Sequence, residues 1–418
     1  MPGLLYLDTA RIGRMSPLAR QAQHDQIRLV GEDAGSPRFD AFLSRGVESW
    51  PSRLRRRYPG LALWHGAGEL RAALARLTGT PSGCVLLASR TYRLMDLAAR
   101  LLFRNCQNVL VTDLGWPRYR SLLEDERLRH RGRVTTLPIR SATLYGAMPA
   151  AEVVGRISAA YREAGCDGLF LTAVSHEGVR LPVRDIVRAV AVRSRPRFVT
   201  VDGAQDLCHG QTDLRGDWCD LYLAGCQKWL GAYHPMGLGF LGRRLSADLI
   251  EAELGDLLAC GELDDPLLRF TDGLDRGSSD PLGETVGLAS LFSSRGAVAD
   301  VLGAGRPPAD VFAVRRDGVR RLAEMARGEG WLPLLPEAAL RSGILLLQAK
   351  APETHSASPI ALRSAFAGRG IALTAYASGL VRLSMPALPL SGREVDRLRS
   401  AFGRCGGGGR VRPTRSTL

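Results

Sequence analysis

Short apolar runs alternate with stretches of helical spacing over residues 67–242. Leu70 to Leu77 repeats its apolar positions three and four apart, which predicts a helix. Cys84 to Ala88 is a continuous apolar run too short for a helix, and predicts a buried strand. The alternation goes on with helix over Thr91–Phe103, strand over Asn108–Thr112, helix over Tyr119–Glu126 and strand over Val134–Leu137. Helix over Ala150–Ala164, strand over Gly168–Thr172, helix over Val183–Val192 and strand over Arg197–Val201 complete the series. Strands that are apolar on both faces need helices on both sides, so the expected fold is α/β with a large, mostly parallel sheet. Such sheets bind ligands at the carboxyl ends of their strands, which makes the residues just after each strand the candidates for chemistry.

From about residue 290 the pattern changes. A long arginine-studded amphipathic helix over Val311–Ala326 is followed by a strand at Ile344–Lys350 and a helix at Ser358–Ala367. A strand at Val381–Ser384 and a helix over Gly392–Phe402 close the series. This predicts a smaller α+β C-terminal domain. The expected division is an N-terminal segment 1–30, a large α/β domain 31–289, the small domain 290–403 and a disordered tail 404–418 around the Gly406–Gly409 run. No internal repeat is found.

Composition narrows the classes. With 418 residues, 45% hydrophobic and 23% charged, the chain has the make-up of a folded globular protein. No apolar run approaches the 18 or so residues that span a bilayer, and no basic-then-apolar leader opens the sequence. Eight cysteines without a C-x-x-C pair fit reduced thiols in the cytoplasm. The net charge of +14 raises nucleic acid as a partner. Its arginines are scattered, however, and no aromatic residues alternate with them as stacking platforms, so neither nucleic acid nor membrane is expected. Only two of the 56 basic residues are lysines, Lys228 and Lys350.

Lys228 lies in the richest stretch of the sequence. The runs Phe198–Val201 and Leu221–Gly225 each deliver a polar residue beyond a strand end, Asp202 and Lys228. A lysine among Cys226, Trp229 and Leu230 is desolvated, which lowers its pKa and makes it a nucleophile toward carbonyls. A nearby aspartate could keep a pyridine nitrogen protonated. These are the two requirements of pyridoxal phosphate: a lysine to bond its carbonyl carbon and an acid for its ring nitrogen. Taken alone, the same pair reads more readily as a structural ion pair or as two unrelated surface charges.

The segment Val201-Asp202-Gly203-Ala204-Gln205, followed by Asp220 through Arg244 with Lys228 and a glycine-rich strand, resembles the class V aminotransferase and cysteine desulfurase branch of fold-type I pyridoxal-phosphate enzymes. The resemblance implies that Lys228 bonds the cofactor, Asp202 pairs with its ring nitrogen and Gln205 contacts its ring hydroxyl. It further places Ser89, Arg90 and Thr91 at the phosphate loop, where orphan N–H groups of a helix start bind anions. Trp116 falls where the family stacks a residue on the ring. Ser175 or His176 stands in for a cofactor-contacting asparagine, and Gln227 replaces a phosphate-contacting histidine. Thr285 resembles a residue supplied by the second subunit of a homodimer. Arg382 falls where the family grips a substrate carboxylate, a task suited to a bidentate guanidinium.

Two other motifs lead nowhere. Gly237 to Gly242 satisfies G-x-G-x-x-G, but it reads as a strand and no acidic residue follows at the distance a dinucleotide site needs. His176-Glu177 is not followed by H-E-x-x-H, and no metal is expected. The reaction is read as transamination of a small amino-acid-like substrate. The alternatives are C–S β-elimination or decarboxylation-coupled deamination of an S-cysteine conjugate in specialised metabolism, or epimerisation. Cysteine desulfuration is disfavoured because Gly370 to Leu383 contains no cysteine. A binding module without chemistry is set aside, since Lys228, Asp202 and Gln205 are all present.

Overall fold

Apolar five-residue strands can be buried only where helices cover both faces of the sheet they build, and the computed structural model has that arrangement. It describes residues 3–33, 35–81, 84–192, 194–275 and 286–406. The chain opens with β1 (Leu5–Tyr6). A seven-stranded sheet then forms from β2 (Val85–Ala88), β3 (Asn108–Thr112), β4 (Arg133–Leu137), β5 (Gly168–Thr172), β6 (Phe198–Asp202), β7 (Leu221–Gly225) and β8 (Gly237–Leu241). Its order is β2-β8-β7-β6-β5-β3-β4. Only β8 runs against its neighbours, β2 and β7; the remaining pairs are parallel. Every residue of β3, β5, β6, β7 and β8 is buried, whereas edge strand β4 is half-exposed.

The helix Thr91–Asn105 shows why these segments fold as they do. Nothing within it is Gly or Pro, and Leu94, Ala98, Leu101 and Leu102 put one apolar face onto the sheet. The glycines of β8 have a packing explanation. A Cβ on Gly237 would lie 2.5 Å from the Arg90 carbonyl carbon, and one on Gly242 would lie 2.5 Å from the Cys219 oxygen. They let neighbouring backbone approach.

A second, antiparallel sheet is ordered β12-β13-β10-β9. Its strands are β9 (Trp331–Leu334), β10 (Ile344–Ala349), β12 (Thr374–Tyr376) and β13 (Leu380–Ser384), while β11 (Ile371–Ala372) pairs in parallel with β1. The segment after β1 therefore passes between the two sheets: the Ser384 N–H donates to the Leu7 carbonyl and the Ala10 N–H to the Ser384 hydroxyl. The helix Ala289–Gly303 packs on the helix Pro17–Glu32 and buries Leu291, Phe292 and Ala297 in the core of the large sheet. On that packing we propose that the domain boundary lies after Gly303, rather than at residue 289 where the sequence pattern changes. The helix Gly392–Gly406 runs four residues beyond the expected Phe402 and buries Cys405. The tail from residue 407 lies outside the described residues, as does Thr285. No helix among the described residues is long and apolar enough to cross a membrane.

Candidate active site

The carboxyl ends of β5, β6 and β7 lie side by side, with Thr172 opposite Asp202 and Asp202 opposite Leu223. They open onto a cavity of about 560 Å³. Asp202 is the last residue of β6 and is 5% exposed; its Oδ1 accepts the Ala204 N–H at 2.9 Å. Burial pushes its carboxyl pKa up, opposed by that hydrogen bond and by the charge on Lys228. Gly203 follows because a Cβ there would lie 2.0 Å from the Tyr222 ring.

Lys228 is carried by the turn after β7. Its carbonyl accepts the Gly231 N–H at 3.2 Å, and the neighbouring Gln227 carbonyl accepts the Gly13 N–H at 2.7 Å. Burial lowers the Lys228 amine to about 8, with Asp202 acting in the opposite sense and Arg382 adding to the fall. The amine is therefore partly neutral at physiological pH, as a nucleophile or general base must be. Cys226 is no rival nucleophile. Its thiol donates to the His234 carbonyl at 3.0 Å, and burial pushes its pKa up to about 12.

Gln205 is held at both ends of its amide: Nε2 donates to the Ala10 carbonyl at 2.6 Å, and Oε1 accepts the Trp229 indole N–H at 2.9 Å. One amide N–H remains for a ligand. His209 stacks on Trp229 at 3.8 Å and 11°. Its Nε2 accepts the Gly343 N–H at 2.8 Å, so its Nδ1 carries the proton donated to the Gln205 carbonyl at 2.7 Å. Burial holds this imidazole neutral, its pKa well below the ordinary value. His209 thus joins the small sheet to the shelf formed by Gln205 and Trp229, a link the sequence reading missed.

At the other wall begins the helix Thr91–Asn105. Arg90, Thr91 and Tyr92 line the cavity, joined by Arg118 from the helix Pro117–Arg129. The Thr91 hydroxyl donates to the Ala224 carbonyl at 2.8 Å, so an anion here relies on the orphan N–H groups of the first turn and on the arginines. Ser89, expected at the phosphate loop, is engaged elsewhere. Its N–H and hydroxyl both go to Asp265, at 3.0 and 2.6 Å, and it does not reach the cavity.

Of Ser175 and His176, the structure brings His176 to the cavity. The Ser175 hydroxyl accepts the Glu177 and Val179 N–H groups and shapes the turn instead. His176 stands edge-on to Trp116 at 5.2 Å and to Tyr376 at 6.4 Å, and burial lowers its pKa. Arg382, 4% exposed on β13, donates to the His176 carbonyl at 3.1 Å and to the Thr374 hydroxyl at 3.3 Å. The Asp8 carboxylate lies 3.9 Å from it, while also holding Arg11 at 2.6 Å.

Three buried polar atoms on the cavity lining have no partner: His176 Nδ1, Gln227 Oε1 and Arg382 Nε. Among the described residues Asp202 is the only acidic side chain on the lining, which it shares with Lys228, Arg11, Arg90, Arg118 and Arg382. The site is built for an anionic ligand. No group of acidic, His or Cys residues suited to a metal is found among the described residues. Arg11, Tyr92, Arg118 and Tyr376 went unread in the sequence. Arg118 follows Trp116 just after β3, so the strand-end rule could have found it, whereas Tyr376 lies on a three-residue strand without a visible pattern.

No family model matches the sequence, and no curated protein matches it. Solved structures do share its fold. A cysteine desulfurase from Thermococcus onnurineus superposes with a TM-score of 0.67 at 14% identity, over 97% of this chain and 95% of that one. A ureidoglycine–glyoxylate aminotransferase from Bacillus subtilis gives 0.67 at 13% identity, over 98% and 95%. A cystine C–S lyase in complex with its product cysteine persulfide gives 0.68 at 14%, over 96% and 98%. The chain has the fold of the fold-type I pyridoxal-phosphate-dependent transferases.

Proposed function

We propose that the protein is a pyridoxal-phosphate-dependent enzyme that acts at the α-carbon of a carboxylate-bearing amino acid, and that its reaction is transamination. The observation that carries this is the pairing of a half-buried, pKa-lowered Lys228 with a buried Asp202 on adjacent strand ends of one cavity. The residues fit the cofactor. Asp202 is a buried carboxyl in want of a cationic partner, and Gln205 keeps a spare N–H. The Thr91 helix start, with Arg90 and Arg118, suits a phosphate. Trp116 and His176 wall the space where a planar ring would lie.

Bound there, pyridoxal phosphate supplies an electron sink for the pair left at the substrate α-carbon. Lys228, in its neutral form, would hold the cofactor at its carbonyl carbon, and its Nζ would serve as the base and acid for the proton at the substrate α-carbon. Asp202, as a carboxylate, would keep the ring nitrogen protonated. Arg382 offers its unpartnered Nε edge to the substrate carboxylate, which fixes the bond at the α-carbon that stands ready to break. No cysteine lines the cavity, which argues against desulfuration. Incubation with amino acids and 2-oxo acids, read by mass spectrometry, tests the choice. Transamination gives exchanged amino and oxo acids, whereas release of ammonia with a 2-oxo acid and a thiol would replace it by β-elimination.

We further infer a homodimer, with Thr285 entering the neighbouring site, on the sequence resemblance alone. The eight cysteines are all unpaired, which supports a reducing compartment such as the cytoplasm.

A further inference from the structure

Trp229, the residue after Lys228, also forms a wall of a second cavity of about 500 Å³. Into it comes Arg315 from the helix Pro308–Gly328, a guanidinium only 7% exposed. Its Nη1 donates to the carbonyls of Cys208 and His209, and its Cζ lies 4.8 Å from the centroid of the Trp229 ring. Its Nε has no partner, and no carboxylate pairs with it among the described residues. Burial lowers its pKa to about 10. A buried cation without a counterion is unfavourable, and an unsatisfied guanidinium nitrogen on a residue that lines a cavity calls for an explanation, of which a bound anion is one.

The remaining lining says what kind of anion. Leu77, Leu207, Val301 and Val311 give it an apolar body, with exposed Arg76 and Arg306 also on the lining. Asp300, the one acid there, is occupied by the Leu18 N–H at 2.8 Å. We propose that this cavity binds a small carboxylate with an apolar body, its carboxylate on the free edge of Arg315 and its body against Leu77, Val311 and Trp229. The proposal stands on this cavity alone and is independent of the cofactor reading. Occupancy would reach the first site through Trp229, which is bonded to Gln205 and stacked on His209.

The test is calorimetric titration of the purified protein with 4-phenylbutyrate, its neutral amide 4-phenylbutanamide, and inorganic phosphate. Saturable one-to-one binding of 4-phenylbutyrate is expected, with the amide and phosphate each at least about tenfold weaker, since one loses the charge and the other the apolar body. Arg315→Gln should weaken 4-phenylbutyrate by at least about tenfold. Val311→Trp, which fills the cavity and leaves Arg315 in place, should abolish binding even if the first variant folds poorly. Arg382→Ala should leave it unchanged. No saturation in the parent protein, equal binding of the amide or of phosphate, or binding lost in Arg382→Ala but retained in Val311→Trp would overturn the proposal.

Discussion

On the proposed function, Lys228 and Asp202 do different work, and their variants should fail differently. Asp202→Ala removes the group proposed to keep a ring nitrogen protonated, so turnover should fall by about 100-fold or more while cofactor stays bound. Steady-state kinetics beside absorbance of the bound cofactor checks this, and near-normal turnover would make Asp202 a structural residue. Lys228 reacts only as the neutral amine. Because burial brings its pKa down to about 8, capture of added pyridoxal phosphate by the apoprotein should accelerate as pH rises through about 8 and then level off. Stopped-flow absorbance across pH 6.5 to 10 reads the inflection; one near the ordinary lysine value would mean a solvated amine. Arg382→Lys keeps the charge but loses the planar fork, and should depress turnover nearly as far as Arg382→Ala. At this scale the sequence was informative where chemistry is rare: one of two lysines in an arginine-rich chain stood out. It could not separate Ser175 from His176, because a one-residue choice depends on which way the turn faces. Nor could it see that Asp265, 176 residues away, takes the Ser89 hydroxyl.

The strands and helices of the large sheet were legible because burial on both faces leaves continuous apolar runs: β3 and β5 fall at the residues the pattern predicts. What escaped lacked that signal. β9 contains Pro333 and β12 spans three residues, so neither carries a period. Close approaches at strand ends are equally hidden, since a glycine reveals nothing about what lies against it. Gly203→Ala tests one. The new methyl would meet the Tyr222 ring, which is buried and bonded to Asp206, and should cost about 2 kcal/mol in urea unfolding. A neutral result would mean the β6 end relaxes freely, and the placement of Asp202 with it.

Across the whole molecule, the site is assembled from parts far apart in the chain: the segment at Ala10, the large sheet and β13 all meet at one cavity. The pattern of the sequence changes character near residue 290 but does not reveal that the segment after β1 threads between the two sheets, because a two-residue strand has no pattern of its own. If the protein is a homodimer sharing its sites, inactive Lys228→Ala and Thr285→Ala chains should regain part of the parent activity on mixing. Full activity in a monomer at working concentration would exclude that arrangement. The central claim, that Lys228 holds pyridoxal phosphate, is tested most directly by borohydride reduction of the cofactor-loaded protein followed by peptide mapping. The account predicts a yellow protein bleached by the reductant, with one pyridoxyl group on Lys228. A colourless protein, or label confined to Lys350, would contradict it.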